Sequence, residues 1–438
     1  MSRPEPVEHP LSIWIVNPFD DIPGEGLPPL RSWTLARILA ARGHDVTWWT
    51  ATWSHRRKKI RTPPIGIRED EGFSVRLVAV RPYEKNVSLA RLGSHRDFGR
   101  TFERLANESI ASGQLERPDL ILASLPPLDS PEAAVRLAHR LDAELVVDLI
   151  DLWPETFERL LPLPAWLRKI ALPFLVRSMR NRRNALITAA DAVTAVSETY
   201  LDAVGLTLPA GCLPADTPTH VCPLGAYVQE FAAVPRPLPN DKTEAGSAAQ
   251  PSLQCVYSGS LETGQDVETI VGAARQLSSA GTSVTIHVAG TGMLEPKLRA
   301  AAAAATGSCT ITMHGLLDRT AYVRLLAACD VGLVLVKPET RVMVPGKACD
   351  YAAAGLALVN SLPGELERLI ADASAGMQYT AGDPASLARA IKTFADDRRL
   401  LVDCRRAARR LAEGAFDRER LYNAFADWLQ GLRRPETE

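Results

Sequence analysis

The stretch from Val331 to Glu367, VGLVLVKPETRVMVPGKACDYAAAGLALVNSLPGELE, leaves this chain few ways to fold. Val331 to Val336 is a short, unbroken apolar run, the pattern of a parallel strand buried on both faces. Lys337-Pro338 ends it in a loop. Pro345-Gly346 opens a helix near Lys347, and Gly355 closes that helix. Leu356 to Asn360 reads as a second strand, Ser361 to Gly364 as a turn, and Glu365 as the start of another helix. The order is strand–loop–helix–strand–loop–helix. Both loops fall at the carboxyl ends of their strands, where open α/β sheets bind ligands. Free N–H groups at a helix start, together with Lys347, suit a phosphate group. One turn further in, Asp350 can accept hydrogen bonds from sugar hydroxyls.

The run P-G-K-A-C-D-Y-A-A-A-G-L from Pro345, followed by Gly364-Glu365, resembles the nucleotide-binding signature of glycosyltransferase family 4. The resemblance implies an α/β chain of the GT-B class. In that class two Rossmann-like domains face each other across a cleft, and the C-terminal helix returns to the first domain. It implies a retaining enzyme in which Asp350 holds the donor ribose and Lys347 faces the diphosphate. Asp350 stands at the second glutamate of the family's paired-glutamate motif, while the first would fall at Val342. Glu339 is out of register with it.

Other segments fit the same outline. Leu11 to Asn17 reads as a strand and Leu30 to Arg42 as a helix stopped by Gly43, with His44 to Thr50 as the next strand. Gly24 and Gly26 lie in the first loop. They serve either as plain turn residues or, by the resemblance, as an approach to donor phosphates or acceptor. Glu144 to Glu155 contains D-L-W-P-E, which resembles a branch that builds O-antigen and other lipid-linked glycans. Asp151 is then a candidate for orienting the acceptor or the transferred sugar, with capping of the following turn as the plainer reading. Where many relatives have histidine this chain has Ile150.

The second domain is expected to begin at Gln254. Gly259 and Ser260 form its first turn, where relatives carry an arginine and then a lysine. This chain has Ser260 and no lysine before Asp266, which leaves more of the phosphate to Lys347 and to loop amides. Gly290 opens a second turn. Thr310 to Gly315 is a strand whose end, at His314, matches the turn where relatives contact the base.

Two stretches suggest partners. Arg56 to Arg61 (R-R-K-K-I-R) is either a solvated loop or a face for an anionic acceptor. From 157 to 187, apolar residues and arginines interleave on what read as short helices opposed only by Glu158. That pattern suits peripheral contact with an anionic membrane, and the plainer alternative is a core helix with a solvated basic side.

Composition removes other classes. With 46% hydrophobic residues, 23% charged and a net charge of -1, the chain has core for two domains and no general pull toward nucleic acid. Its seven scattered cysteines form no metal-ligand spacing and read as reduced thiols. The expected boundaries are an acceptor domain over 1–230, a Pro/Ser/Ala-rich linker over 231–252, a donor domain over 253–415 and a returning helix over 416–438. No cofactor and no metal are called for, since no D-x-D motif is present. The expected activity is a metal-independent hexosyl transfer from a nucleotide sugar, most simply a UDP-sugar, to a glycan or lipid-linked acceptor in the cytoplasm, as a step of cell-surface polysaccharide synthesis. A nucleotide-sugar epimerase and a non-catalytic GT-B scaffold subunit remain open as alternatives.

Overall fold

The computed structural model describes residues 9–25, 29–61, 67–86, 88–155, 165–205, 217–234, 252–262, 264–304, 307–337 and 343–432. These fall into two compact units: residues up to Cys222 together with Tyr422 onward, and Pro223–Leu421.

The strands of the first unit are β1 (Ser12–Val16), β2 (Asp45–Ala51), β3 (Trp53–Ser54), β4 (Lys59–Ile60), β5 (Ile67–Asp70), β6 (Phe73–Val78), β7 (Leu120–Leu125), β8 (Glu144–Leu149), β9 (Ala192–Ala195) and β10 (Thr219–Val221). Its helices are α1 (Arg31–Ala41), α2 (Leu89–Ala111), α3 (Asp129–Leu141), α4 (Ala165–Thr188) and α5 (Glu198–Gly205). Eight strands form one sheet in the order β10-β9-β8-β7-β1-β2-β6-β5. Its pairings are parallel except at the edge, where β5 runs antiparallel to β6. The chain leaves β1 first on one side and later, from β7, on the other. The carboxyl ends of β1 and β7 are therefore a topological switch point.

Apolar residues on both faces of β1 explain its central place. Trp14 packs on Trp49 at 5.4 Å in a tilted contact and Trp49 on Phe102 at 5.1 Å edge-on, aromatic pairs worth about 0.5–1.5 kcal/mol each beyond area burial. Helix α2 starts at Leu89. Ser88 caps it by accepting the Arg91 N–H, and Gly99 admits α3 closely, since a Cβ there would lie 2.5 Å from the Asp129 carbonyl oxygen.

The second unit holds β11 (Leu253–Ser258), β12 (Val284–Ala289), β13 (Cys309–Gly315), β14 (Val331–Val334), β15 (Ala357–Asn360) and β16 (Gly376–Gln378). Its helices are α6 (Val228–Ala232), α7 (Thr269–Ser279), α8 (Glu295–Ala304), α9 (Arg319–Ala328), α10 (Gly346–Ala353), α11 (Glu365–Ala373), α12 (Pro384–Asp396) and α13 (Arg398–Leu411). The sheet is fully parallel in the order β13-β12-β11-β14-β15-β16. Its switch point lies between β11 and β14. All four residues of β14 and all four of β15 are buried, as the apolar runs required.

Helix α14 (Arg418–Gln430) carries the chain from one unit's residues to the other's. Trp428 stacks on His220 at 5.1 Å, and Arg42 donates to Asp427 at 2.6 Å, both within the first unit.

Two expectations change. Residues 157–187 do not form several short helices: α4 is a single helix with Pro173 inside it, and 156–164 lie outside the described residues. Nor is Glu158 the sole opposing charge. Arg182 pairs with Glu132 and Asp129, and Arg180 and Arg183 pair with Glu155. The R-R-K-K-I-R stretch is likewise not all solvated. Arg61 is buried and pairs with Glu25, and Arg56 pairs with buried Asp21. The six described cysteines are buried, and no two of them form a disulfide. No described helix is long and apolar enough to cross a membrane. Gly26 and Val342 lie outside the described residues.

Candidate functional site

Three loops meet at the carboxyl ends of β11, β12 and β13. Gly259, with φ of 138°, turns the chain out of β11, and its N–H donates to the Ala289 carbonyl at 3.0 Å. Gly290 donates to the Gly315 carbonyl at 2.7 Å. A Cβ on Gly290 would lie 1.8 Å from the Gly259 carbonyl oxygen, and one on Gly259 would lie 2.8 Å from Lys347 Nζ. Only glycine lets these backbones approach so closely.

Lys347 occupies the first turn of α10. Its Nζ donates to Gln265 Oε1 at 3.0 Å and to the Tyr257 hydroxyl at 3.3 Å, and lies 4.3 Å over the Tyr257 ring. The Tyr257 hydroxyl donates in turn to the Ser260 carbonyl at 2.8 Å. Among the described residues the ammonium meets neutral oxygens and a ring face but no carboxylate. Burial therefore pulls its pKa down to about 7.

Asp350 lies one turn on. Its Oδ2 accepts from Arg319 Nη1 at 3.3 Å and from the Tyr322 hydroxyl at 3.2 Å. Burial raises its pKa, and Arg319 opposes that rise. Arg319 itself is held by Glu230, at 2.6 and 2.9 Å. Next in sequence, Tyr351 is wholly buried. Its hydroxyl receives the Ser258 N–H at 2.6 Å and lies 3.0 Å from Ser258 Oγ, which is 3.2 Å from the Tyr322 hydroxyl. Tyr351 fits because β14 carries glycine at 332, where a Cβ would lie 2.5 Å from the ring. The hydroxyl chain from Tyr351 through Ser258 to Tyr322 thus fixes where Asp350 can point.

His314, at the end of β13, lies 2.9 Å from His287 through its Nε2. Gln254 Nε2 donates to the Ser252 carbonyl, so its Oε1 is free to accept from His287 Nε2 at 2.9 Å. That network assigns a proton to His287 Nε2, leaves its Nδ1 as acceptor, and makes His314 the donor between the rings. Burial lowers both pKa values. Gly364, with φ of 91°, opens α11, and its N–H donates to Glu367 Oε2 at 3.2 Å. Glu365 follows, half-buried.

The first unit has its own polar centre. Arg31, at the start of α1, grips Asp148 through two bonds of 2.7 and 2.8 Å and donates to the Cys222 carbonyl at 2.8 Å. Its guanidinium lies 4.9 Å from the Phe425 ring. Asp151 sits in the turn after β8, where its Oδ1 accepts the Leu152 N–H at 2.8 Å and it feels the charge of Arg91. Ile150 is half-buried beside it. Gly24 has φ of 83°, which favours glycine there.

The glycosyl transferase 4-like domain model matches residues 30–225, and the glycosyl transferases group 1 model matches residues 252–397. The chain belongs to the glycosyltransferases.

Solved structures agree with its fold. Anabaena HepE in complex with UDP-glucose superposes with a TM-score of 0.62 at 16% identity, over 96% of this chain and all of that one. Sucrose-phosphate synthase from Thermosynechococcus elongatus gives 0.68 at 16% identity, over 96% and 99%. The catalytic domain of Arabidopsis thaliana starch synthase IV, bound to ADP and acarbose, gives 0.62 at 11%, over 97% and 100%. No curated protein matches the sequence of this glycosyltransferase. The fold is α/β of the GT-B class.

Within this glycosyltransferase, Gly259, Ser260, Gly290, Gly346 and Lys347 come together at the β11/β14 switch point, with Asp350 a turn away and His314 at the end of β13. Sequence reasoning missed Tyr257, Gln265, Arg319, Tyr322 and Glu230. Tyr257 and Gln265 bracket the Gly259-Ser260 turn, and Arg319 opens a helix with the cap Asp318, so turn and cap chemistry could have pointed to three of them. Glu230 carries no local signal.

Proposed function

We propose that this glycosyltransferase moves a sugar, with retention, from a UDP-sugar to a glycan or lipid-linked acceptor in cell-surface polysaccharide synthesis. One observation carries the reading: Lys347 is a half-buried cation at the switch point of a parallel sheet, held among the described residues by neutral oxygens alone. A donor diphosphate supplies the missing anion. As the bond from the sugar's anomeric carbon to the diphosphate oxygen breaks, negative charge grows on the leaving group. Lys347 and the free amides at the start of α10 then stabilise the transition state more than the ground state. Asp350, fixed through Tyr322 and Arg319, offers its carboxylate to the ribose hydroxyls. UDP-glucose in Anabaena HepE favours uridine as the base, and ADP in the starch synthase is the contrasting case. Asp151 is assigned to the acceptor or the transferred sugar. No step of this reading calls for a metal.

Peripheral membrane contact through 157–187 belongs to the same reading. It rests on Phe174 and Leu175 of α4, 74% and 41% exposed, with exposed Arg177 beside them. It draws less on charge than the sequence implied, because three of the arginines are paired.

The test is thermal unfolding with UDP, GDP and ADP, for wild type and Asp350→Ala. A ligand at 100 times its dissociation constant adds about 2.7 kcal/mol. Stabilisation by UDP, lost in the variant, is the expected result. No stabilisation by any of the three would sink the donor assignment.

A further inference from the structure

Among its described residues the first unit contains a group of cations without carboxylate partners, at the carboxyl ends of its parallel strands. Phe19 follows β1, His55 and Lys58 lie between β3 and β4, and Tyr83 and Asn86 follow β6. Arg91 and His95 are on the first turns of α2, and Trp153 follows β8. Asn86 draws two of them together. Lys58 Nζ donates to its Oδ1 at 2.6 Å, and Arg91 Nη1 donates to its carbonyl at 2.7 Å. Tyr83 joins the same pair: Lys58 lies 4.7 Å over its ring, and its hydroxyl feels the Arg91 charge. That hydroxyl is also 2.6 Å from His55 Nδ1. The Arg91 guanidinium lies between two rings, 5.3 Å from Phe19 and 5.4 Å from Trp153, and its Nε donates to His95 Nε2 at 3.3 Å.

Three arginines of the surrounding segments are matched, while Arg57, Lys59 and Lys85 are exposed to solvent. Arg56 has Asp21, Arg61 has Glu25 and Arg81 has Asp97. Lys58 and Arg91 have no carboxylate within ion-pair distance among the described residues. Exposed Glu84 forms no ion pair with them, and Asp151 couples to Arg91 only at a distance. Burial and the Arg91 charge pull Lys58 down to about 8, and burial lowers Arg91 as well. His55 and His95 are held near 3, so both rings are neutral at ordinary pH. The Tyr83 hydroxyl and His55 Nδ1 share one hydrogen bond of 2.6 Å, which ties the two side chains together. The result is a set of desolvated donors whose charge costs free energy until an anion arrives.

We propose that Lys58, Arg91 and the His55–Tyr83 pair bind the phosphate or diphosphate group of an ester, with the Phe19 and Trp153 rings fixing the plane of the Arg91 fork. Placing that ester on the acceptor rests on the transferase reading; the anion site itself does not. A planar guanidinium presents paired N–H donors to phosphate, and a lysine adds a mobile charge beside it. Two sources share this chemistry: a lipid-carried diphosphate and a soluble phosphate ester.

The experiment is calorimetric titration of the full chain, held in saturating UDP, with inorganic pyrophosphate and separately with farnesyl diphosphate. Wild type, Lys58→Gln, Arg91→Gln and Lys347→Gln are compared. Both probes are expected to bind wild type and Lys347→Gln, and to bind Lys58→Gln and Arg91→Gln at least ten-fold more weakly. The rise in melting temperature caused by UDP should be unchanged in the Lys58 and Arg91 variants. Farnesyl diphosphate binding more tightly than pyrophosphate assigns the site to a lipid carrier, and equal binding assigns it to a soluble ester. Absence of pyrophosphate binding to wild type, or equal binding to both variants, overturns the proposal. Should Arg91→Gln fail to fold, Lys58→Gln decides alone. A failure of the donor reading shows separately, as no response of wild type to UDP.

Discussion

Arg319 holds Asp350 by one oxygen only: its Nη1 lies 3.3 Å from Oδ2, while the rest of its fork is committed to Glu230. Against the burial that raises its pKa, the carboxylate's charge is favoured by a cation that is itself anchored elsewhere. Hydrogen bonds to charged groups contribute about 1.5–3 kcal/mol, so Arg319→Met should weaken UDP binding roughly ten- to a hundred-fold. Without Arg319 the Asp350 pKa rises further, so the gap between variant and wild type should narrow as pH increases. Dissociation constants for both proteins at pH 6 and pH 8 check this. A gap independent of pH would mean that Arg319 acts by contact and not by charge.

Lys347 makes donor binding depend on pH in the opposite sense. Its pKa near 7 in the free protein means that much of it is neutral at pH 8. A diphosphate needs the ammonium, so binding takes up a proton. UDP affinity should fall above pH 7, approaching a ten-fold loss per pH unit. Lys347→Arg, which stays charged, should flatten the profile. Stability of the free protein runs the other way. The unfolded lysine, with its ordinary value of 10.5, holds its proton through the window from about 7 to 10.5 while the folded one does not, so stability rises with pH there. A flat UDP profile in wild type would refute the assignment.

Gly332→Ala tests the support beneath Asp350. The new methyl would stand 2.5 Å from the Tyr351 ring, which has no space to retreat into. Overpacking of this kind costs about 1–3 kcal/mol. Urea unfolding should show that loss, and UDP affinity should fall with it, because Tyr351 can no longer hold Ser258. Unchanged affinity in a destabilised variant would separate Tyr351 from the site.

The buried Arg31–Asp148 pair gives a prediction about stability alone. Asp148→Ala leaves the Arg31 charge without its partner and should cost about 3–5 kcal/mol. The double variant Arg31→Met/Asp148→Leu should recover much of that, since it removes both charges. Urea midpoints of the two variants decide it.

The second unit was readable because its signals are local. Gly355 and Pro345 bound α10, and fully apolar β14 and β15 flank it, so those elements fall within two residues of their expected limits. The Lys58–Arg91 group was not readable. Its members come from five segments, and the first turns of α2, with Arg91, Gly93 and His95, lack the apolar spacing that begins at Phe98. Ser88 was the one available sign of that helix start. The arginines of α4 misled for a related reason: their partners Asp129, Glu132 and Glu155 lie far off in sequence, and a local charge count cannot see them.

The aromatic cover over Arg31 has a further consequence, which concerns the order of synthesis. Tyr422 and Phe425 lie over the Arg31 guanidinium within one unit, yet Arg31 is made before the second unit, Pro223–Leu421, and these two after it. The whole second unit leaves the ribosome in the interval. For that time the first unit holds a buried-type ion pair open on one side, begun early and closed only after Tyr422 and Phe425 have been made.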